Sequence, residues 1–462
     1  MEKMATEELA PKKSRFRIMF GGNRGIWIIL AFLFMYSVLS VYSGSVQLPG
    51  NNTTGHLLKH VFGLLIGVFC IYLIHKTPCK FFRLSSFLLY ILSIVLLIIT
   101  WAFAPEVNGA KRWLYIGPIT VQTSDIAKVA LLMFLAHILS KKETSINDIG
   151  SFVKSILLPI FLTCFLIMPS NLSTAVLVFV EAMVLLAFSN IKKTYFWGLL
   201  ITAVVGAGLF VTLILYSNID IWRFPTWRAR VESWIEGNPN KDDQVQVNNA
   251  RMAVASGGII GRGPGNGHAK VKLANVHCDY IFANIVEEVG LVGGMFLMWL
   301  YIMLFYRAIT IVKKINKLSK SPDELEPKYK FRQYLVLGLT SMMVLQALSN
   351  MAVSTDLMPV TGQTMPFVSY GTSSLVFMSV AMGIILSVSR EVENDTAVTD
   401  KKLEPQAAEA VVVTDDGNTE AASAEENVEV ITDDEDNSEV SGRDVLEMIN
   451  DNELNIEENE RK

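Results

Sequence analysis

Residues 195–216 read YFWGLLITAVVGAGLFVTLILY, a run without a single charge that is entered through Lys192 and Lys193. A helix needs about 20 apolar residues to cross the hydrocarbon core of a bilayer, so this run predicts a membrane span. Nine more segments pass the same test, at 25–43, 57–75, 84–103, 121–139, 154–168, 171–189, 281–306, 333–353 and 368–388. The fifth of the ten, 154–168, is short, and Pro159 is placed to break it. The 462-residue chain is 51% hydrophobic and only 18% charged, with a mean hydropathy of +0.38. A soluble domain carries nearer a quarter charged residues. These values exclude a soluble globular enzyme, a disordered protein and a nucleic-acid-binding domain. The fold class expected is an all-α polytopic membrane protein with ten transmembrane helices and a large extracytoplasmic loop between helices 7 and 8.

Lysine and arginine in the short loops set the direction. With the N-terminus inside, the cytoplasmic side collects 22 of these bases, eight of them in the 307–332 loop. The short outer loops hold only Lys59, Lys111 and Arg112. Both termini are therefore expected in the cytoplasm. Residues 217–280 face outward on this reading and carry eight bases, but loops of that length cross largely regardless of charge. The N-terminal bases Lys12, Lys13, Arg15 and Arg17 precede the first span with no convincing cleavage site, which reads as an uncleaved anchor. The four cysteines have no metal-site spacing. Three regions follow: a basic N-terminus over 1–24, a membrane domain over 25–390, and a tail over 391–462. The tail holds 24 acids against 5 bases, with no Phe, Trp or Tyr, a composition that predicts disorder.

Ionisable residues inside spans are costly and mark candidate sites. Asp125 and Lys128 lie three apart on one helix face and are expected to pair. That pair reads equally as a bundle lock or as a cavity wall that orients an anionic ligand. Glu181 stands alone in the sixth span, and Glu287 and Glu288 read as interhelical hydrogen-bond acceptors. Asp279 sits at the outer mouth of the eighth span, two residues after His277 and beyond Arg251, Arg262, Lys270 and Lys272. A carboxylate there is able to take a proton from a substrate hydroxyl. It is equally able to cap the helix N-terminus. The glycines of Gly257-Gly258 and Gly261-Arg262-Gly263-Pro264-Gly265-Asn266-Gly267 lack the strand and helix of a dinucleotide fold. Their backbone N–H groups with Arg262 suit a pyrophosphate, or they form a flexible turn.

These blocks carry a resemblance. Lys111-Arg112-Trp113, Gly117-Pro118, Gln122-Thr123-Ser124-Asp125 and Lys128 resemble the opening signature of the SEDS family. Arg230-Val231-Glu232-Ser233-Trp234, Gln246, Ser256-Gly257-Gly258 and the 261–266 run resemble its large outer loop. His277-Cys278-Asp279-Tyr280-Ile281-Phe282 with Glu287-Glu288 and Gly290 follows, then Pro359-Val360-Thr361-Gly362 and Pro366-Phe367-Val368-Ser369-Tyr370-Gly371. The blocks run in family order over nearly all of 25–390. The division branch looks nearest, through Gly25-Ile26-Trp27, Val41-Tyr42-Ser43, the Pro359-Val360-Thr361-Gly362 motif and the long tail. The chain departs from the family at Asp125 (usually Glu), at Asn171 and Ser173 (Asp and Gly), at Ala274-Asn275 (Pro-Glu) and at Thr372 (Gly).

The resemblance implies a peptidoglycan glycosyltransferase that polymerises lipid II on the outer membrane face. It makes Asp279 the general base on the 4-hydroxyl of the acceptor sugar. The donor is a glycan on undecaprenyl pyrophosphate, whose leaving group needs positive charge from Arg112, Arg230, Arg262, Lys270 or Lys272. Asp125, Lys128, Gln246, His277 and Ser369 complete the implied substrate-binding positions. A divalent cation, Mg or Mn, is the one cofactor left open, and no metal-ligand cluster is expected. The partners implied are a class B penicillin-binding transpeptidase, other division proteins and membrane lipid, with no nucleic acid. Rival readings are a lipid II flippase, an elongation-type polymerase and a noncatalytic scaffold.

Overall fold

The computed structural model describes residues 21–45, 53–107, 109–117, 119–142, 148–216, 223–236, 242–268, 279–318 and 325–409. Its helices are α1 (Arg24–Ser45), α2 (Thr53–Lys76), α3 (Cys79–Phe103), α4 (Thr123–Lys142), α5 (Ile149–Phe152), α6 (Leu158–Ile167), α7 (Leu172–Ala187) and α8 (Lys193–Tyr216). Then come α9 (Phe224–Glu236), α10 (Asp242–Gly257), α11 (Ile281–Asn316), α12 (Pro327–Ser354) and α13 (Thr372–Glu409). Among the described residues nine segments are long and apolar enough to cross a membrane, α5 and α6 counting as one. The expected tenth, α7, has 16 residues, about 24 Å of helix. Expected over 171–189, it sits deep in the bundle, with Thr174, Val178, Glu181 and Leu185 buried.

Burial follows the logic of lipid rather than water. Along α3 the exposed side chains include Phe81, Leu84, Phe87, Leu88 and Ile91, while Ser86, Ser93 and Thr100 face the protein. Helices in hydrocarbon gain nothing by hiding leucine from it. They associate through small residues that let backbones approach. α8 shows the extreme, with Ile201, Val204, Val205 and Leu209 exposed and Ile214 its one buried residue. α4 and α12 form the centre, buried through Leu131, Leu135, Met342 and Ala347.

Two local features depart from the expected helices. Residues Trp113–Ile116 and Ile119–Gln122 form an antiparallel hairpin (β1 and β2) that opens α4, so the fold is not wholly helical. Gly117 turns it at φ 61°, a conformation glycine adopts without Cβ strain. Pro159 does not break the fifth segment. A π-turn over Val153–Leu157 lies just before it, and Leu158 N–H bonds Val153 O. The wider turn carries the chain past a residue that has no N–H to donate.

The glycine-rich run is built into α11. That helix is interrupted at Gly290, with φ 82° and ψ 176°. The break frees two carbonyls and two N–H groups, and residues 258–263 satisfy them. Arg262 N and Gly263 N donate to Glu287 O and Glu288 O at 3.0 and 2.9 Å. Leu291 N and Val292 N donate to Gly258 O and Ile259 O at 2.9 and 3.3 Å. Only glycine fits this backbone-to-backbone contact: a Cβ on Gly261 would lie 2.3 Å from Glu288 O, and one on Gly257 would lie 2.1 Å from Val286 O.

Candidate active site

Asp279 lies just before α11, and Tyr280 is the N-cap residue, with no side-chain capping bond. The capping role therefore does not fall to Asp279. Tyr280 is buried with Val247, Ala250 and Ala253 of α10 and with Ala283 and Val353. This small cluster anchors the N-terminal end of α11 between α10 and the last turn of α12, and so fixes the position of the residue before it.

The backbone of Asp279 is the start of a hydrogen-bond chain. Asn350 Nδ2, on α12, donates to Asp279 O at 3.0 Å and to Gln363 O at 2.7 Å. Gln363 Nε2 donates to Thr174 Oγ1 at 2.6 Å, on α7. Thr174 N in turn donates to Asn171 Oδ1 at 3.2 Å, the N-cap of α7. Asn caps a helix as well as Asp, so the change at 171 keeps that terminus intact. One residue earlier, Ser170 O accepts from Arg112 Nε and from Arg223 Nη1, both at 2.8 Å. Arg230 Nη1 reaches Val360 O at 3.3 Å. Gly362, at φ 64°, leaves open the space beside the carboxylate: its Cβ would sit 3.9 Å from Asp279 Oδ2. The mouths of α7, α11 and α12 and the 359–363 segment are thereby joined around the Asp279 carboxylate and three guanidiniums, with Glu106 acting on Arg223.

Charge and burial act on one another here. Burial pushes the Asp279 carboxyl above the ordinary carboxylate range, and Arg112 and Arg230 pull it partway back. Burial lowers Arg112 to about 10, with Arg223 and Arg230 adding to the effect and Asp279 opposing it. Arg223 is lowered by burial and by Arg230, with Glu106 opposing. Three crowded cations that burden one another are a site waiting for an anion. The same crowding does not suit a divalent cation held by protein ligands. Among the described residues no three His, Cys, Asp or Glu side chains converge.

The other expected positions are distributed differently. Asp125 and Lys128 form an ion pair at 3.0 Å, with exposures of 3% and 1%. They lie inside the bundle and do not line the mouth. Lys128 Nζ also reaches Gln346 Oε1 at 3.0 Å, and Gln346 Nε2 donates to Thr364 O at 2.8 Å. Ser369 is buried, and its Oγ accepts from Met365 N at 2.8 Å, closing the turn before α13. Arg262 is exposed and bonds Ser256 O at 3.2 Å. The N–H groups of residues 261–263 all donate to protein carbonyls, so they form no phosphate cradle. Gln246 is half-buried on α10, next to Val247. Glu287 accepts from Ser256 Oγ and His268 N, and Glu288 from Ser43 Oγ, each tying α11 to another part of the chain. His277, Lys270 and Lys272 lie outside the described residues. Arg223 was not among the expected positions. Its spacing from Arg230, seven residues or two helical turns, was the available signal.

Comparison with known proteins places the chain. Residues 23–394 match the FtsW/RodA/SpoVE model, described as cell cycle protein. A protein of Hydrogenovibrio crunogenus is 30% identical over 377 residues, covering 79% of this chain and 91% of its own. One of Coxiella burnetii is 27% identical over 377 residues, covering 80% and 96%. Both bear the name "Probable peptidoglycan glycosyltransferase FtsW". Among solved structures, a chain of a peptidoglycan synthase complex that coordinates polymerization and crosslinking superposes with a TM-score of 0.64 at 22% identity, covering 80% of this chain and 98% of that one. The rod shape determining protein RodA of Thermus thermophilus gives a TM-score of 0.56 at 21% identity, covering 80% and 97%.

Proposed function

The chain belongs to the FtsW/RodA/SpoVE family of cell cycle proteins, and from that premise we propose that it is a multi-pass membrane peptidoglycan glycosyltransferase acting in septal wall synthesis. The observation that carries the reading is the single carboxylate of Asp279 set against Arg112 and Arg230 at one mouth of the bundle. A glycosyl transfer from a lipid pyrophosphate needs a base on one side of the anomeric carbon and cations on the other. Asp279 takes the proton of the acceptor 4-hydroxyl. Its raised pKa makes it a stronger base than an ordinary aspartate once ionised. Arg112, Arg223 and Arg230 receive the charge that develops on the leaving pyrophosphate. Direct displacement inverts the α-linked donor to a β-1,4 glycan. A second carboxylate, which glycosidases use to protonate a poor leaving group, is unnecessary when pyrophosphate leaves. The buried chain through Asn350, Gln363, Thr174 and Asn171 keeps base and cations in one geometry.

The lysine and arginine bias supports putting this mouth on the outer side and both termini in the cytoplasm. The solved complex that joins polymerization to crosslinking supports a crosslinking partner, a class B penicillin-binding transpeptidase. The deciding experiment gives purified protein lipid II, with and without that partner, and resolves the product by length on a gel. Glycan strands are expected. Movement of lipid II across vesicles without any polymer would instead establish the flippase reading.

A further inference from the structure

At the end of the bundle opposite Asp279, the first turns of α3 and α12 and residues 391–395 of α13 enclose a cavity of about 420 Å³. Its wall carries Lys80, Arg83, Lys328 and Arg332 against Glu391 and Asp395. Both carboxylates are already engaged. Arg332 donates to Asp395 at 2.7 Å and to Glu391, and Cys79 N holds Glu391 at 2.8 Å. Lys328 meets Glu326 at 3.0 Å, but the two are 48% and 62% exposed and screened by water. The cavity therefore keeps an excess of positive charge, with exposed Lys80 and half-buried Arg83 on one side. Helices α3 and α12 direct their N-termini at it, and neither Pro78 nor Glu326 caps with its side chain. Their dipoles add to the same field. Buried Phe331 supplies an apolar patch of wall.

We propose that this cavity binds a phosphate ester anion, supplied in the membrane by the headgroup of an anionic phospholipid. It opens between spanning helices at their ends, where headgroups lie, and basic pockets so placed select anionic lipid. The site is separate from the Asp279 mouth and stands whatever reaction that mouth performs. The test is native mass spectrometry of delipidated protein titrated with phosphatidylglycerol or phosphatidylcholine. Phosphatidylglycerol is expected to be retained roughly tenfold better. The double change Lys80→Gln with Arg83→Gln should abolish the preference at an unchanged unfolding midpoint. Lys313→Gln with Lys314→Gln, at the same end but outside the cavity, should keep it. Exposed Lys80→Gln alone repeats the test at smaller size if the double variant fails to fold. Absence of preference in the unaltered protein, or a preference that survives the Lys80 and Arg83 changes, overturns the site. Release of bound lipid by millimolar glycerol 3-phosphate would overturn the lipid source and assign the cavity to a soluble phosphate ester.

Discussion

At the scale of single residues, Asp279 separates cleanly from its neighbours. Asp279→Asn keeps size and shape but accepts no proton at neutral pH. The variant is expected to insert and fold normally while glycan synthesis falls by roughly 10²–10⁴-fold. A purely structural aspartate would give near-normal polymer from the same variant. Arg230→Gln tests the electrostatics with a defined sign. The proposed base works ionised, so activity is expected to rise as pH climbs through the raised pKa of Asp279. Arg230 lowers that pKa, and its removal moves the acid limb of the rate profile to higher pH. An unmoved limb, measured on lipid II between pH 5 and 8, would detach Arg230 from Asp279. Asp279 and Arg230 were legible in the sequence because both sit in recognisable blocks. Arg223 was missed, since its spacing from Arg230 alone carries no mark of the carbonyl it will share. Ser170 O, which gathers Arg112 and Arg223, is a backbone atom with no sequence signature at all.

At the scale of elements, the sequence announced helices well and their exceptions poorly. Length and apolarity identify α8 without ambiguity, whereas the apolar reading over 171–189 exceeds the 16 residues that α7 forms. The glycine run showed that something unusual was needed, yet not what. Its partner is the interruption of α11 at Gly290, which lies 27 residues beyond Gly263 and adjoins it only in the fold. Two substitutions rank the contact. Gly117→Ala faces open space at φ 61° and costs only left-handed strain, about 1–2 kcal/mol. Gly261→Ala adds to such strain a Cβ held 2.3 Å from Glu288 O, so it should unfold at a clearly lower temperature than Gly117→Ala in the same detergent. Equal midpoints would mean that the joint between loop and helix is soft. The buried pair in α4 gives a second comparison. Lys128→Ala leaves Asp125 uncompensated at 3% exposure and should cost about 3–5 kcal/mol. Asp125→Asn with Lys128→Met removes both charges and is expected to recover much of that loss. Failure of the double variant to recover would show that Lys128 serves Gln346 or Glu181 as well.

At the scale of the whole molecule, direction is the property that matters most, because the proposed substrate is a lipid whose sugar faces one side. The fold was legible here in its gross form as a series of apolar helices, nine of them long enough to cross among the described residues, and a long loop before α11. What the composition could not convey is that the long loop is partly helical and joined to the bundle through Tyr280 and Gly290. That attachment makes the loop's side of the membrane and the site's side the same. In a background lacking the four native cysteines, Asn266→Cys places a thiol on an exposed position next to the joint, and Lys313→Cys places one near the far end of α11. The 22-to-3 bias in bases predicts that an impermeant maleimide added to intact cells labels position 266 and spares 313 until the membrane is opened. The reverse pattern would put Asp279 in the cytoplasm, where no glycan strand is assembled. It would remove the polymerase reading even if every residue of the site behaved as expected.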